Sequence, residues 1–205
     1  MEPWIALLVL LATLAALVAY VALSYFHVPA NKIALVNWQF PFSPKIPPGH
    51  TIAAQWEQGW WAKHFGPGHH FFEVPLSRLF ASIEYRDFVQ IPANKFGLVE
   101  ARDGKPLSQG QVVADRIIHK PGQEKTDLAD GEYFLTHGGQ RGYQLDLLPP
   151  GLWAINARKK GDKTTEGKPG FLWEIEEIDP EIILAKEVGI RISNIGERPD
   201  IATEV

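Results

Sequence analysis

The chain has 205 residues, of which 45% are hydrophobic and 21% charged, and its formal net charge is -4. This composition supports a folded core and excludes a wholly disordered chain, and the scattered lysines and arginines argue against nucleic acid as the main partner. The sequence contains no cysteine, which excludes disulfides, thiolate nucleophiles and cysteine-ligated zinc.

The first predicted element is an uncharged apolar stretch at residues 4–26, WIALLVLLATLAALVAYVALSYF. As a helix rising about 1.5 Å per residue, this stretch is long enough to cross a hydrocarbon core of roughly 30 Å. Trp4 at one end, and Tyr25 and Phe26 at the other, are aromatic residues of the kind enriched at membrane–water boundaries. The leader MEP carries no cation and LSYFHV is a poor cleavage site, so residues 1–27 are predicted to be a retained transmembrane anchor rather than a signal peptide.

The cations around this anchor all follow it. Lys32 and Lys45 lie on its C-terminal side, whereas the leader has neither lysine nor arginine. Because cytoplasmic flanks of membrane spans are enriched in these residues, the sequence favours a single-pass protein of the cell membrane with its folded part in the cytoplasm.

A repeat follows the anchor. Residues 28–36 read VPANKIALV, and residues 91–99 read IPANKFGLV, so the two segments align without a gap. Proline suits the first residue or the edge of a strand, and the alternating apolar residues after it indicate a strand with one buried face. Each copy therefore predicts a short turn followed by a β-strand, and a weaker third copy, LAKEVGIRIS, starts at Leu184.

The material between the copies also repeats. A Pro-Gly turn signal occurs at residues 67–68 and again at residues 150–151, and each is followed by an aromatic-rich segment. A period of this size filled with short strands is typical of tandem β-rich modules. We therefore divide the chain into the anchor (1–27), a first module next to the membrane (28–90), a second module (91–187), and a further strand, module or tail (188–205).

The second module contains a predicted short helix. Thr126 or Asp127 can serve as its N-cap and Gly138 as its C-terminal stop. The glycines of GGQRG at residues 138–142 are interpreted as the helix end and a turn, because a phosphate-binding loop would require a preceding strand.

These motifs resemble those of the SPFH, or band 7, superfamily, which includes the stomatins, prohibitins and flotillins. Residues 101–114 and 134–156 are similar to stretches of large bacterial members. The residues that match the family's turn and strand motifs are Pro67-Gly68, His70-Phe71, Pro75, Ile91-Pro92, Lys95 and residues 97–99. The resemblance implies an α+β fold in which a transmembrane helix precedes two tandem SPFH-like β-rich modules. It also implies assembly into a ring or cage.

One family feature is missing. Members usually carry a long helix rich in alanine and glutamate after the β-rich domain, and this helix drives coiled-coil assembly. The present sequence instead ends in IGERPDIATEV. Either the chain is the N-terminal portion of a longer protein, or it assembles without a coiled coil.

An aromatic cluster lies at residues 54–65, AQWEQGWWAKHF. Its members Trp56, Trp60, Trp61 and Phe65 are predicted to lie at the membrane interface, because tryptophan favours the boundary between apolar tails and wet headgroups. Trp56 and Trp60 are four residues apart, so a helical turn would put them on one face. The alternative is ordinary core packing of the first module, and the sequence does not decide between the two.

A histidine cluster, KHFGPGHH, contains His64, His69 and His70 around a Gly-Pro-Gly turn. Neutral imidazoles are good ligands for zinc or copper. The spacing matches no closed metal site, so exposed loop histidines are the favoured interpretation, and no metal, cofactor or catalytic residue is predicted.

Two charged segments are interpreted structurally. Asp103-Gly104 suits a hairpin turn. Glu174, Glu176 and Glu177 suit a solvated strand face. Neither segment offers a nucleophile or a second carboxylate aimed at a common point, as catalysis would require.

The function predicted from the sequence is that of a non-enzymatic membrane scaffold. Many copies would assemble at the lipid bilayer to organise a microdomain or to enclose a partner membrane protein. Two alternatives stay open, a regulatory adaptor of one membrane protease or transporter, and a membrane-tethered metal-binding domain that uses the histidine cluster.

Overall fold

The computed structural model describes residues 3–74, 76–114 and 139–181. The predicted helix at 126–138, the third copy of the repeat, the segment 188–205 and Pro75 lie outside these ranges. Within them the chain is α+β, with one N-terminal helix followed by a body of β-strands and a single 3-10 turn at Ser77–Leu79.

The N-terminal helix α1 spans Pro3–Ser24. Its 22 residues correspond to a length of about 33 Å, and they are long and apolar enough to cross a membrane. Apart from its last two residues, the helix is exposed along its length, including Trp4. Because apolar residues surround it on all sides, it is not the amphipathic kind of helix that packs one face on a soluble core.

The described part of the body has eleven strands in chain order. Their bounds are β1 Tyr25–Val28, β2 Lys32–Trp38, β3 Gly59–Phe65, β4 Gly68–Phe71, β5 Ala81–Asp87, β6 Val89–Ile91, β7 Phe96–Ala101, β8 Gly142–Leu148, β9 Gly151–Trp153, β10 Ala157–Lys159 and β11 Trp173–Ile178.

The strand pairings occur twice in the same order. In the first unit, residues 25–87, β1 pairs with β4, and β2 lies between β3 and β5. In the second unit, residues 89–178, β6 pairs with β9, and β7 lies between β8 and β11. All of these pairs are antiparallel. The repeat seen in the sequence is therefore a repeat of topology, and β10, which pairs in parallel with β11, is an addition in the second unit.

The details of the two copies also match. The Lys32 N–H donates to the carbonyl of Pro29 at 3.1 Å, and the Lys95 N–H donates to the carbonyl of Pro92 at the same distance. The pairing of β2 with β3 shifts register between Leu35 and Asn37, and that of β7 with β8 shifts at the aligned residues 98–100. A β-bulge at the same place in both copies increases the local strand twist in the same way.

The start of the first unit differs from the prediction. The helix ends at Ser24, so Tyr25 and Phe26 lie in strand β1 rather than at the end of the anchor. Phe26 is buried, with its ring against Phe65 and Phe72. Strand β1 pairs with β4 directly after the helix ends, and this pairing places the Phe26 ring in the core. A ring that is 1% exposed has no surface left for contact with lipid.

Two hydrophobic clusters form the core of the residues that the structure describes. One lies within the first unit and includes Val36, Trp38 and Trp61. The other fills the second unit but also contains Ile52 and Ala62 of the first. The two units therefore share a core rather than being joined by a free linker.

Candidate functional site at the helix-proximal end of the body

The strand registers show which end of the first unit lies next to α1. Strand β1 leaves the helix at Tyr25, which lies opposite Phe71. The 3-10 turn Ser77–Leu79 contacts α1 and leads into β5 at Ala81, which lies opposite Trp38. We call this end, formed by residues 38–42, 71–74 and 76–81, the helix-proximal end.

Hydrogen bonds fix the junction between helix and body. The Phe72 N–H donates to the carbonyl of Ser24 at 2.9 Å. Arg78 donates from Nη1 to the carbonyl of Tyr25 at 3.3 Å. The last carbonyls of a helix have no partner within the helix, so the bond from Phe72 satisfies a Ser24 carbonyl that would otherwise need water. The first unit is therefore attached to α1 by paired backbone rather than by a flexible linker.

Large apolar side chains are exposed at this end. Phe42 is 87% exposed, Leu79 is 61% exposed and Phe71 is 58% exposed. Val74 and Leu76 are also exposed. We call these five residues the helix-end patch. Isolated exposed apolar residues are ordinary on a protein surface, but a group of them at one end indicates an interaction surface.

Phe42 belongs to the same surface through ring contacts. Its ring lies 5.6 Å from that of Phe40, and the ring of Phe40 lies 4.9 Å from that of Phe80, with distances measured between centroids. Phe80 directly follows the 3-10 turn. The loop after β2 and the segment before β5 therefore meet at the helix-proximal end.

Leu76 has an unusual backbone conformation. Its φ is 61° and its ψ is 13°, in the left-handed region. For a leucine this region costs about 1–2 kcal/mol, whereas glycine or asparagine adopts it readily. The structure thus retains an exposed apolar residue at a position where a polar asparagine would be less strained. Backbone strain of this kind clusters at functional sites, although Trp56, with φ of 73°, shows it too.

The aromatic residues predicted for the membrane interface are not among the exposed residues of the helix-end patch. Trp61 is 1% exposed, with its ring against Trp38, and its Nε1–H donates to the carbonyl of Glu57 at 3.1 Å. Trp61 therefore occupies the position described by the core-packing alternative. Phe65 is half-buried near the other end of β3, with its ring against Phe26.

Trp56 and Trp60 do not share a helical face. Trp56 lies in a turn with φ of 73°, and Trp60 lies in strand β3. Trp60 and Trp61 are consecutive on that strand, so their side chains point to opposite faces. Trp60 packs against the core of the second unit, whereas half-buried Trp56 packs against the core of the first.

Sequence reasoning missed the helix-end patch. Its members lie in loops, at a strand end and at a 3-10 turn, where apolar residues show no periodicity. The one available signal was the segment FFEVPLSRLF, residues 71–80, in which apolar residues flank a proline.

The histidines form contacts of different kinds. His69 lies opposite His27 across the β1–β4 pair, and its Nδ1 is 2.6 Å from the hydroxyl of Tyr25. His70 donates from Nε2–H to the carbonyl of Gly66 at 2.8 Å. Within residues 3–74, 76–114 and 139–181, no group of three or more histidines and carboxylates could hold a metal ion. The metal-binding alternative therefore has no supporting geometry in these ranges.

The predicted acidic strand face is an ion-paired face. Glu174 accepts hydrogen bonds from Arg102 and Arg158. Burial raises the pKa of Glu174, but these hydrogen bonds and the positive charges behind them outweigh burial and hold the pKa below its ordinary value. The pKa of Glu177 is also below its ordinary value, chiefly because this carboxylate accepts a hydrogen bond from Lys159.

Asp103 also differs from its prediction as a simple turn residue. It is buried, and its Oδ1 accepts a hydrogen bond from the Thr51 N–H at 2.8 Å. Its Oδ2 is 3.3 Å from Nδ1 of His50. Since residues 50 and 51 belong to the first unit and Asp103 to the second, this carboxylate connects the two units.

A cleft of about 270 Å³ lies between β5 and β10. Some of the charged side chains that line it form ion pairs: Arg86 with Glu84, Arg158 with Glu174, and Lys159 with Glu177. Asp162 also lines the cleft and accepts hydrogen bonds from the hydroxyls of Thr164 and Thr165. These side chains are engaged with one another, so the helix-end patch is the stronger candidate site.

Comparison with known proteins adds no assignment to this geometry. The chain matches no protein-family model, no curated protein and no protein of solved structure.

Proposed function

We propose that this chain is a membrane-anchored scaffold protein of the SPFH (band 7) type. Many copies would assemble at the cell membrane as a ring or cage, which organises a membrane microdomain or encloses partner membrane proteins. The sequence motifs at residues 67–71 and 91–99 support this family assignment.

The observation that carries the proposal is the junction of α1 with the duplicated strand unit. A scaffold must hold each subunit in a fixed orientation on the bilayer so that neighbouring subunits meet in the same way. The bonds from Phe72 and Arg78 to the backbone of residues 24 and 25 provide such a fixed attachment. The shared core then transmits this orientation from the first unit to the second.

Assembly would use different surfaces on the two sides of each subunit. Among the strands that the structure describes, β3 and β5 lie at the edges of one sheet, and β8 and β10 lie at the edges of another. Two unlike sides that meet head to tail form a ring when the rotation between subunits closes. The folded part would lie in the cytoplasm, because Lys32 and Lys45 follow the helix.

Particle imaging tests the proposal. The full chain, extracted from membranes in mild detergent and imaged by negative stain, should show closed rings or cages with many subunits. Uniform particles the size of one or two chains would contradict the proposal that the protein is a scaffold. A small complex with a membrane protease or transporter in fixed stoichiometry would support the adaptor alternative instead.

A further inference from the structure

The helix-end patch lies beside the C-terminal end of α1, where that helix would leave a membrane that it spans. Residues 72 and 78 are hydrogen-bonded to the backbone at the last residue of the helix and the residue after it. The headgroup layer on each side of a bilayer is only about 5–8 Å thick. Residues within one hydrogen bond of the helix end therefore lie at headgroup depth when α1 spans the bilayer.

The chemistry of the patch suits that depth. Leu79, Phe71 and Phe42 expose large apolar side chains. Transfer of such side chains out of water lowers the free energy of the system. Exposed Arg78 lies between Leu76 and Leu79 in sequence, and a guanidinium at this depth can reach lipid phosphates while its aliphatic stem stays among apolar groups.

We infer that the helix-end patch inserts into the membrane leaflet from which α1 emerges, so that the first unit binds lipid through a second surface besides its helix. This inference rests on the proposed anchoring by α1, but it does not depend on assembly into rings. The occupant is the lipid bilayer rather than a second copy of the chain, because the patch adjoins a helix that is long and apolar enough to span lipid.

The absence of cysteine makes a direct depth measurement possible. Single-cysteine variants of the full chain at Leu79 and at Leu152 are spin-labelled and reconstituted singly into nanodiscs of mixed phosphatidylcholine and phosphatidylglycerol. Leu152 is the matched control, because it is a leucine of the second unit with a similar exposure of 68%. A third label at Leu11, in the middle of α1, reports whether the anchor is in the membrane.

Accessibility of each label to oxygen and to a water-soluble nickel chelate gives its depth. The Leu79 label should show an oxygen-to-nickel collision ratio several-fold above that of the Leu152 label. Equal ratios at the two sites would overturn the inference. So would a Leu79 label shielded from both reagents, because that result indicates contact with protein instead of lipid.

The Leu11 label separates the two levels of the account. If the Leu11 label is lipid-exposed while the Leu79 label is in water, insertion of the patch is refuted and anchoring by α1 is supported. If the Leu11 label is itself in water, both claims are refuted. Ring formation does not affect either result, because each nanodisc holds one chain.

A substitution at Leu76 provides a second test. Asparagine tolerates the left-handed conformation, so Leu76→Asn should leave the thermal unfolding midpoint unchanged or slightly raised. The same change should lower the oxygen-to-nickel ratio of the Leu79 label, whereas Leu152→Asn should not. A Leu76→Asn protein that keeps both its midpoint and the full ratio would count against insertion.

Discussion

The guanidinium of Arg86 lies 3.7 Å from the centroid of the Phe171 ring, so an arginine of the first unit stacks on an aromatic ring of the second. Trp60 flanks the same guanidinium at 5.6 Å. Nη2 of Arg86 donates to the carbonyl of Pro169 at 2.8 Å. Arg86 also forms a bidentate pair with Glu84 of its own unit. Arg86 therefore connects the two units through several contacts at once.

Replacing Arg86 should weaken the body as a whole. Arg86→Lys keeps the charge but loses the planar stack and the bidentate pair, so we expect the free energy of unfolding to fall by about 1–2 kcal/mol. Arg86→Ala should lower it further. Urea unfolding of the detergent-solubilised chain, followed by tryptophan fluorescence, measures both. Arg141→Lys, at an exposed arginine of the second unit, is the control. If the Arg86 variants lost no more unfolding free energy than this control, Arg86 would not stabilise the contact between the units.

Gly170 should be intolerant of any side chain. Its φ is +86°, and a Cβ added there would lie 2.6 Å from Cδ2 of Trp60. Gly161 has a similar φ of +81°, but no heavy atom lies within 4 Å of the corresponding position. Both alanine substitutions carry backbone strain of about 1–2 kcal/mol. Only Gly170→Ala must also displace an indole ring, which costs roughly 1–3 kcal/mol more.

Urea unfolding of the two alanine variants isolates the ring contact. The prediction is that Gly170→Ala is the less stable of the two by the additional amount. Equal stabilities would mean that the Trp60 ring moves freely, and therefore that Gly170 does not fix the interface between the units.

Asp103 should hold the loop at residue 51 onto the second unit. Asp103→Ala leaves the Thr51 N–H without its acceptor, at a cost of about 1–3 kcal/mol, whereas Asp103→Asn keeps an oxygen in place. Hydrogen–deuterium exchange at the Thr51 amide should therefore become roughly tenfold faster or more in the alanine variant, and less so in the asparagine variant. Asp87→Ala removes an exposed ion pair with Lys32 and should leave this amide unchanged. Equal exchange in all four proteins would exclude the contact.

The stability contributed by Glu174 should disappear in acid. The pKa of this carboxyl is lower in the folded chain than its ordinary value of 4.5, so the unfolded chain binds the proton first as the pH falls. The contribution is therefore complete above about pH 4.5 and is lost as the pH falls through the folded-state pKa. The loss of stability caused by Glu174→Gln should be largest near pH 7 and should shrink toward pH 3.

Urea unfolding at pH 7, 5 and 3 tests this dependence. Glu73→Gln at an exposed glutamate of the first unit provides a surface comparison, expected to change stability by less than about 0.5 kcal/mol. A Glu174→Gln effect that stays constant from pH 7 to pH 3 would show that the carboxylate is not stabilised by Arg102 and Arg158.

The repeated strands could be predicted because their signals are local. A proline followed by alternating apolar residues identified the starts of β2 and β7, and the Pro-Gly pairs placed the turns before β4 and β9. The helix was evident from its unbroken apolar composition, although its end at Ser24 was not. Strand β10 was missed, because three residues, ARK, carry no periodicity and their pairing partner β11 is distant in sequence.

The site could not be predicted from composition. Tryptophan suits both a membrane interface and a core, and the four-residue spacing of Trp56 and Trp60 suggested a helix that Gly59, with φ of +126°, does not continue. Because β3 is a strand, consecutive side chains point to opposite faces. Trp61 therefore lies in the core of the first unit, and Trp60 packs against the core of the second. The exposure of Leu79 and Phe42 depends on how loops far apart in sequence meet beside α1, which no local pattern encodes.

The scaffold account is tested most directly by the mass of the full chain in its own lipids. Membranes are solubilised with a polymer that retains a disc of native bilayer, and single-particle mass photometry is recorded over a dilution series. The account predicts one discrete population at a high multiple of the 22.9 kDa chain mass, unchanged on dilution. A population of single chains at every concentration would contradict it.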